Sequence, residues 1–215
     1  MGPESMSRTS NVFLAALREA KHHRQPFDYW RLEDIFPDAV CDAIAALPFA
    51  PVENAIFDGR REANNSKRVY FTPPNQQRFA VCREIADAFR SSAVVHALER
   101  ATGADLTMGQ LRIEYCRDVD GFWLEPHVDI PVKLLTMLIY LTDAPELHDA
   151  GTDLYDDSPE HRLVSCVPYE WNAGFIFVPG KNTWHGFRRR AIRGVRKSLI
   201  INYVGPGWRA VEELA

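Results

Sequence analysis

Three residues of the kinds that bind metal ions stand in an order and spacing that could form one site. His127 and Asp129 are two positions apart in the stretch EPHVDIP, and His185 follows 56 residues after Asp129. An extended chain places the first two on the same face, and antiparallel pairing could bring His185 beside them. Two imidazoles and one carboxylate form the facial triad of non-haem Fe(II) sites, which leaves coordination positions open.

Each of these residues also has an ordinary structural explanation. His127 suits a surface position beside a turn, Asp129 is a turn former, and His185 could lie in a loop. The spacing of three common residues is weak by itself. Arg196 strengthens it, with Ser198 two positions further on, because an arginine that faces a barrel interior needs an anion. A small dicarboxylate would meet that need.

The segments that must position these residues read as β-strands. From about residue 105, short β-branched and aromatic runs alternate with period 2 and are separated by glycine, proline and aspartate clusters. In the run RKSLIINYV one face is polar, carrying Arg196, Ser198 and Asn202, and the other is apolar. Thr136 and Tyr140 likewise share a face of LLTMLIYL. These polar faces predict a barrel lined for a ligand.

The first half of the chain has helical periodicity. Predicted helices cover residues 10–20, 37–47, 76–92 and 93–103, and SKRVYFTPP predicts a short strand that ends at the prolines. We therefore predict an α+β, mainly β fold, a double-stranded β-helix (jelly roll) with N-terminal helices packed on one sheet. The predicted organisation is a flexible N-terminus at 1–10 and a single domain at 11–215, with helical support to about 104 and a jelly-roll core to about 205.

Composition excludes several classes of protein. The 215 residues are 46% hydrophobic and 25% charged, which is typical of a soluble globular domain. No apolar run approaches the roughly 20 residues that span a bilayer, and the N-terminus lacks the layout of a secretory signal. A net charge of -4 argues against nucleic acid as a partner. The four cysteines form no CxxC pair, so we predict neither a thiolate zinc site nor disulfides, and a reduced, cytoplasmic protein.

Residues 108 to 205 resemble the Fe(II)/2-oxoglutarate-dependent dioxygenases, in their prolyl-hydroxylase-like branch. The resemblance lies in His127-x-Asp129, the strand AGTDLY, the run GFIFVP…WHG that contains His185, and Arg196-x-Ser198. It implies Fe(II), 2-oxoglutarate and O₂ as cofactor and cosubstrates. It also implies a hydroxylase that oxidises an unactivated C–H bond and releases succinate and CO₂. Related halogenases replace the carboxylate ligand with a small residue, so Asp129 favours hydroxylation or another oxidation.

The resemblance also implies roles for individual residues. His127, Asp129 and His185 would be the iron ligands, and Arg196 would pair with the distal carboxylate of 2-oxoglutarate, helped by Ser198. The remaining residues expected to contact the cosubstrate are Tyr140 and Thr136, on the strand after the ligand pair, and Tyr115, on the strand before it. For both tyrosines, a place in the core is the alternative.

Other residues are candidates for the substrate side. Phe122 and Trp123 could wall the pocket, Glu125 could meet a cation or hydroxyl, and Asn202 could face the iron; packing beneath the loop is the alternative for Trp123. The segment FDGRREANNSKRVYFTPP reads as a lid, and the basic run at 188–197 as a solvated turn or an anion contact. Free amino acids, peptidyl residues and small metabolites are all open as substrates.

Two other functions stay open at this stage. A cupin-type metalloenzyme would use the same barrel without 2-oxoglutarate, and would not require Arg196, Ser198 and Tyr140 on the inner face. A non-enzymatic β-sandwich binding or sensor module would make the triad accidental.

Overall fold

A computed structural model describes residues 6–51, 57–60 and 68–215. The helices are α1 (Arg8–Arg18), α2 (Asp38–Ala45), α3 (Pro73–Arg78), α4 (Ala80–Arg90) and α5 (Ser92–Thr102). The strands are β1 (Lys21–His23), β2 (Tyr29–Leu32), β3 (Val69–Tyr70), β4 (Gln110–Asp118), β5 (Leu124–His127), β6 (Lys133–Tyr140), β7 (Thr152–Tyr155), β8 (Leu163–Val167), β9 (Ala173–Phe177), β10 (His185–Phe187) and β11 (Arg196–Val204). Short 3₁₀ turns lie at Pro145–Leu147 and Val211–Glu213. No helix within the described ranges is long and apolar enough to cross a membrane.

The strands form two sheets in which every neighbouring pair is antiparallel. The large sheet has the order β1-β2-β9-β6-β11-β4-β3, and the small sheet has the order β5-β10-β7-β8. Their facing sides enclose a core of aromatic and aliphatic side chains, including Tyr140, Phe175 and Phe187. This arrangement is the predicted jelly roll.

The helices cover the outer face of the large sheet. Strand β11 turns Leu199, Ile201 and Tyr203 toward the helices, where they are at most 3% exposed. Burial of this alternating apolar set fixes the register of the strand, because a slip of one residue would bring its polar set to the helices. Arg196 and Ser198 consequently face the interior between the sheets.

Several boundaries differ from those expected. Helix α1 begins at Arg8, within the segment predicted to be flexible, because Ser7 caps it by accepting from the backbone N–H of Ser10. The predicted helix at 76–92 is divided at Phe79, whose backbone is extended. Pro73 starts α3 rather than only ending the strand before it, as its fixed φ suits a first helical turn.

Strands β1 and β2 were not predicted, because each is too short to display alternation. Tyr29–Leu32 extends the large sheet by pairing with β9. The C-terminus also returns to this sheet: Leu214 bridges to Arg112, and the Ala215 N–H donates to the Leu111 carbonyl at 2.9 Å. This return brings Glu213 close to the interior groups described below.

Candidate active site

The three predicted metal ligands lie together at one end of the small sheet. His127 ends β5, His185 begins β10, and the two residues are paired in the ladder. Asp129 follows β5 after a single residue. One potential ligand atom from each lies within 4.8 Å of the others. The sequence spacing therefore becomes a compact group through one antiparallel strand pair and one short connection.

Backbone carbonyls orient both imidazoles. The Nδ1–H of His127 donates to the Glu125 carbonyl, and the Nδ1–H of His185 to the Thr183 carbonyl, each at 2.9 Å. A nitrogen that donates to a carbonyl must carry the proton, so Nε2 is the lone-pair nitrogen in each ring. Such hydrogen bonds are the usual support for metal-binding histidines.

The carboxylate of Asp129 is held by two side chains of the following strand. Lys133 Nζ donates to Oδ1 at 2.6 Å and Thr136 Oγ1 donates to Oδ2 at 2.7 Å. Asp129 and Lys133 are both nearly inaccessible to solvent. These charge-assisted bonds favour the ionised carboxylate, which is the form that ligates a metal.

A chain of hydrogen bonds continues from this carboxylate into the interior. Asn202 Nδ2 donates to Thr136 Oγ1 at 2.9 Å, and Arg112 Nη1 donates to Asn202 Oδ1 at 3.2 Å. Arg112 also pairs with Glu114 at 3.1 Å and with Glu213 at 2.6 Å. Asn202 therefore supports the metal-ligand carboxylate through Thr136, and the C-terminal turn is connected to the same network.

The donor set fits a first-row divalent metal. Two neutral imidazole nitrogens and one carboxylate oxygen on one side of a cavity match the facial triad, whose open positions admit further ligands. His127 and Asp129 line one cavity, and His127 and His185 line another. Ligands could thus reach a metal here from two sides.

The inner cavity lies between the two sheets and leaves about 30 Å³ of open space; its polar lining includes Arg68, Cys116, Thr136, Ser198 and Arg196. Arg196 is the most firmly held of these side chains: its Nε donates to the Ala150 carbonyl at 2.6 Å and its Nη1 pairs with Asp118 at 2.7 Å. Three aromatic rings surround its guanidinium, those of Tyr140, Tyr169 and Phe187.

Asp118 is thus a resident anion for Arg196 that was not foreseen. It sits directly across the β4–β11 ladder from the arginine. The alternation of β4 carries the signal, since Arg112, Glu114 and Asp118 share one face of the strand. Lys133 was also missed, although it stands four residues after Asp129.

Tyr140 is buried in the core between the two sheets, next to Arg196 and Thr152, which line the inner cavity. Its hydroxyl donates to Thr152 Oγ1 at 2.8 Å and accepts from the Thr152 N–H at 3.1 Å. Burial raises the pKa of Tyr140 to about 12, with Arg196 and Thr152 opposing that rise. The phenol therefore stays a donor near neutral pH. Ser198, 1% exposed, lies between Tyr140 and Cys116 in the ladders.

Tyr115 does not lie where the resemblance placed it. It belongs to the core between the helices and the large sheet, across from Leu199, whereas its neighbour Cys116 faces the inner cavity. The reason is the alternation of side chains along β4, in which residues of odd number point to the helices. A contact between Tyr115 and the cosubstrate is therefore a wrong prediction.

The candidate substrate residues separate into three environments. Phe122 is 2% exposed and lines the inner cavity against Phe187. Trp123 packs over Gly59, donates from Nε1 to the Phe57 carbonyl, and stacks under Arg189, so it is a support of the loop. Glu125 is exposed and lines the cavity on the other side of the triad.

That outer cavity has a volume of about 630 Å³. Besides His127 and Asp129 its lining includes Glu125, Ile130, Lys133, Trp208 and Arg209. Its size suits a small organic molecule or a side chain. Part of the predicted lid, residues 61–67, lies outside the described residues.

Side chains of the basic run make internal contacts. Arg190 pairs with the buried Asp153 at 2.9 Å and Arg188 reaches the same carboxylate at 3.3 Å. Arg189 stacks on Trp123. These contacts attach the segment after β10 to the small sheet, so the solvated-turn interpretation describes only part of the run.

Comparison with known proteins supports the fold. No family model matches the sequence, and no curated protein sequence matches it. Solved structures do match. A prolyl-4-hydroxylase of Pseudomonas putida has a TM-score of 0.59 at 15% identity, over 93% of this chain and 100% of that one. A Trichoplax adhaerens prolyl hydroxylase, solved with a hypoxia inducible factor peptide fragment, has a TM-score of 0.58 at 13% identity, over 92% and 89%.

The non-heme alpha-ketoglutarate-dependent epimerase SnoN of nogalamycin biosynthesis also matches, with a TM-score of 0.53 at 14% identity over 91% of this chain and 82% of that one. These similarities confirm the predicted jelly-roll fold and its prolyl-hydroxylase-like form.

Proposed function

We propose that the protein is an Fe(II)- and 2-oxoglutarate-dependent dioxygenase that hydroxylates an unactivated C–H bond. The observation that carries this proposal is the His127, Asp129 and His185 triad beside a cavity that Arg196 lines. Structures of similar fold include prolyl hydroxylases and an alpha-ketoglutarate-dependent epimerase, which agrees with it. Bound iron would let O₂ oxidise both 2-oxoglutarate, to succinate and CO₂, and the substrate.

In this proposal the residues of the chain bind the metal, orient the cosubstrate and exclude water. His127 and His185 present Nε2 and Asp129 presents a carboxylate oxygen to the metal. Arg196 and Ser198 receive the distal carboxylate of 2-oxoglutarate in the inner cavity, where Tyr140 supplies a phenol donor. Lys133 and Thr136 hold the Asp129 carboxylate in place, and Asn202 supports it through Thr136.

Charge balance among the ion pairs nearest the triad and the inner cavity agrees with a divalent metal and a dianionic cosubstrate. The pairs are Lys133–Asp129, Arg112–Glu114, Arg112–Glu213, Arg196–Asp118 and Arg68–Glu114. Within the described ranges these ion pairs therefore comprise four cations and four carboxylates. A divalent metal adds two positive charges, and 2-oxoglutarate adds two negative ones, so the interior stays balanced when both bind.

The substrate would enter from the outer cavity, which His127 and Asp129 also line. We propose a small molecule or a peptidyl side chain, and we disfavour nucleic acid because the chain is acidic. The peptide bound by the Trichoplax enzyme is a precedent for the peptidyl alternative. Cytoplasmic location stays a prediction from the cysteine pattern.

Anaerobic titration tests this function directly. Fe(II) followed by 2-oxoglutarate is expected to give a charge-transfer absorbance that requires both components, and His127→Ala should abolish it. In air, succinate formation should then identify the substrate from a panel of amino acids, peptides and metabolites. Oxidation that proceeds without 2-oxoglutarate and survives Arg196→Ala would favour a cupin-type enzyme instead.

A further inference from the structure

Two guanidinium groups line the inner cavity, but they are held very differently. Arg196 donates to Asp118 and to a backbone carbonyl and is surrounded by aromatic rings. Arg68 enters from beside β3 at the edge of the large sheet. Its side chain is 5% exposed, and its Nη1 lies 3.6 Å from Glu114 and against Cys116 Sγ.

The contacts of Arg68 do not satisfy it. Glu114 lies closer to Arg112, at 3.1 Å, and so is shared between two cations. Within the part of the chain that the structure describes, Arg68 Nε is buried and has no hydrogen-bond partner. A buried guanidinium donor without an acceptor costs free energy, which an anionic ligand can recover.

The strand registers place Arg68 next to the Arg196 end of the cavity. Val69 pairs with Tyr115 in β4, so Arg68 stands at the next step of that ladder, beside Cys116. Cys116 is paired with Ser198, two residues from Arg196 on the same face of β11. Two residues along a strand span roughly 7 Å, a separation that arginine side chains can bridge.

We propose that Arg68 is a second binding residue for the distal carboxylate of 2-oxoglutarate, which makes the site selective for a 2-oxo diacid over a 2-oxo monoacid. This inference rests on the proposed function, and it adds a residue from outside the jelly-roll core. One carboxylate with two oxygens can accept from both guanidinium groups.

The inner cavity is too small for 2-oxoglutarate unless a side chain moves, and Arg68 is the side chain that we expect to move. The open volume of about 30 Å³ is comparable with that of one water molecule, so a five-carbon diacid requires side chains to shift. Arg196 is fixed by its two acceptors and three rings. Arg68 directly precedes the edge strand β3, and among the described residues its side chain is held by Glu114 and Cys116, so it is the side chain that swings aside and then closes on the carboxylate.

Calorimetry on the Mn(II)-loaded full chain tests the proposal with two matched ligands. 2-Oxoglutarate and 2-oxopentanoate share the carbon chain and the metal-binding end, and only the first has a distal carboxylate. Arg68→Met is expected to weaken 2-oxoglutarate binding by about tenfold or more while leaving 2-oxopentanoate within about twofold. Arg68→Gln, which keeps a polar side chain, serves if the methionine variant folds poorly.

Arg117→Met is the control, because Arg117 lies next to Cys116 in sequence but on the opposite face of β4, over Tyr115. It should leave both ligands unchanged. Equal weakening of both ligands by the Arg68 variants would assign Arg68 a structural role, and no weakening of either would also overturn the proposal. Wild-type protein that shows no metal-dependent 2-oxoglutarate binding would instead contradict the proposed function itself.

Discussion

The two cavities on either side of the triad differ in how their walls are built. The inner cavity is lined largely by strands of both sheets, and its charged side chains Arg196 and Asp118 are paired across a ladder. The outer cavity is about twentyfold larger, about 630 Å³ against 30 Å³. Apart from Arg112 of β4, it is lined by residues within 59–60, 125–133 and 207–213, most of which lie outside regular strands.

This difference separates two kinds of specificity. Strand registers fix the inner wall to within a residue, so the inner cavity suits one ligand of defined length and charge. Connections vary without disturbing the sheets, so the outer wall can be adapted to a particular substrate. Substitutions on the inner side are therefore expected to alter stability, metal binding or cosubstrate binding. Substitutions in the outer connections, apart from His127, Asp129 and Lys133, are expected to spare all three.

The largest effect is expected from Arg196→Met. It removes the proposed 2-oxoglutarate contact and leaves the carboxylate of Asp118 buried without its partner at 2.7 Å. The free energy of unfolding in urea should fall by about 3–5 kcal/mol. Asp118→Asn in the same chain should recover much of that loss without restoring 2-oxoglutarate affinity. A double variant no more stable than the single one would show that the ion pair is not the cause.

Removal of a ligand at the boundary of the two cavities should rank next. His185→Ala deletes an imidazole that is 4% exposed, oriented by the Thr183 carbonyl and close to the other two ligands. Loss of a supporting hydrogen bond costs about 10–100-fold in metal affinity, so loss of a ligand should cost about 100-fold or more. His96→Ala, at an exposed position on α5, is the control. Competition with a fluorescent chelator gives both dissociation constants; equal values would remove His185 from the site.

The sequence could predict the inner side well for a physical reason. Alternation in β11 and β6 reports which residues face inward, and the triad depends on one strand pair with a short connection. It could not reveal Asp118 as the partner of Arg196, because their pairing depends on the β4–β11 register. The contribution of Arg68 depends similarly on β3, a strand of two residues.

Two other residues needed the structure for a different reason. Tyr115 was assigned to the cosubstrate by resemblance, although its side chain points the same way as that of Ile113, a residue of the helix-facing core. For Trp123 the sequence left a pocket wall and packing beneath the loop both open, and the ring fills the space above Gly59, where even a Cβ would come within 2.4 Å. That contact joins segments about 64 positions apart, and no local pattern encodes it.

Alkaline pH should expose the burial of Tyr140 in the inner wall. Its pKa is raised from 10.0 to about 12 in the folded chain, so between these values the unfolded state loses the proton while the folded state keeps it. The contribution of this group to stability is independent of pH below 10, and the free energy of unfolding falls by about 1.4 kcal/mol per pH unit between pH 10 and about 12. Tyr140→Phe should be less stable at neutral pH but show a shallower decline between pH 10 and 12.

Trp208→Phe, in the outer wall, is the matched control for that slope. Its decline in unfolding free energy should follow the wild type, because the substituted side chain does not titrate. If Tyr140→Phe has the same slope as wild type, the phenol is not shielded as the structure indicates.

A smaller effect is expected where the support of Asp129 is weakened and the ligand itself is kept. Thr136→Val preserves the shape of the side chain but removes the 2.7 Å bond to Asp129 and the acceptor for Asn202. Metal affinity should fall by about tenfold. The Co(II) absorption spectrum should shift, because the carboxylate is less constrained. Thr136→Ser restores the hydroxyl and should recover most of the affinity. If Thr136→Val loses stability but keeps the wild-type dissociation constant for the metal, Thr136 has only a structural role.

The smallest effect on these measurements is expected from Arg209→Gln in the outer cavity. Arg209 is exposed and lies on the connection after β11, away from the ladders that fix the inner wall. Unfolding free energy should change by less than about 0.5 kcal/mol. The dissociation constants for the metal and for 2-oxoglutarate should stay within about twofold of the wild-type values. The KM of a substrate found by the succinate assay should change. A loss of 2-oxoglutarate affinity in this variant would contradict the separation of the two cavities. It would show that a loop on the substrate side affects cosubstrate binding, so the inner and outer cavities would not bind their ligands independently.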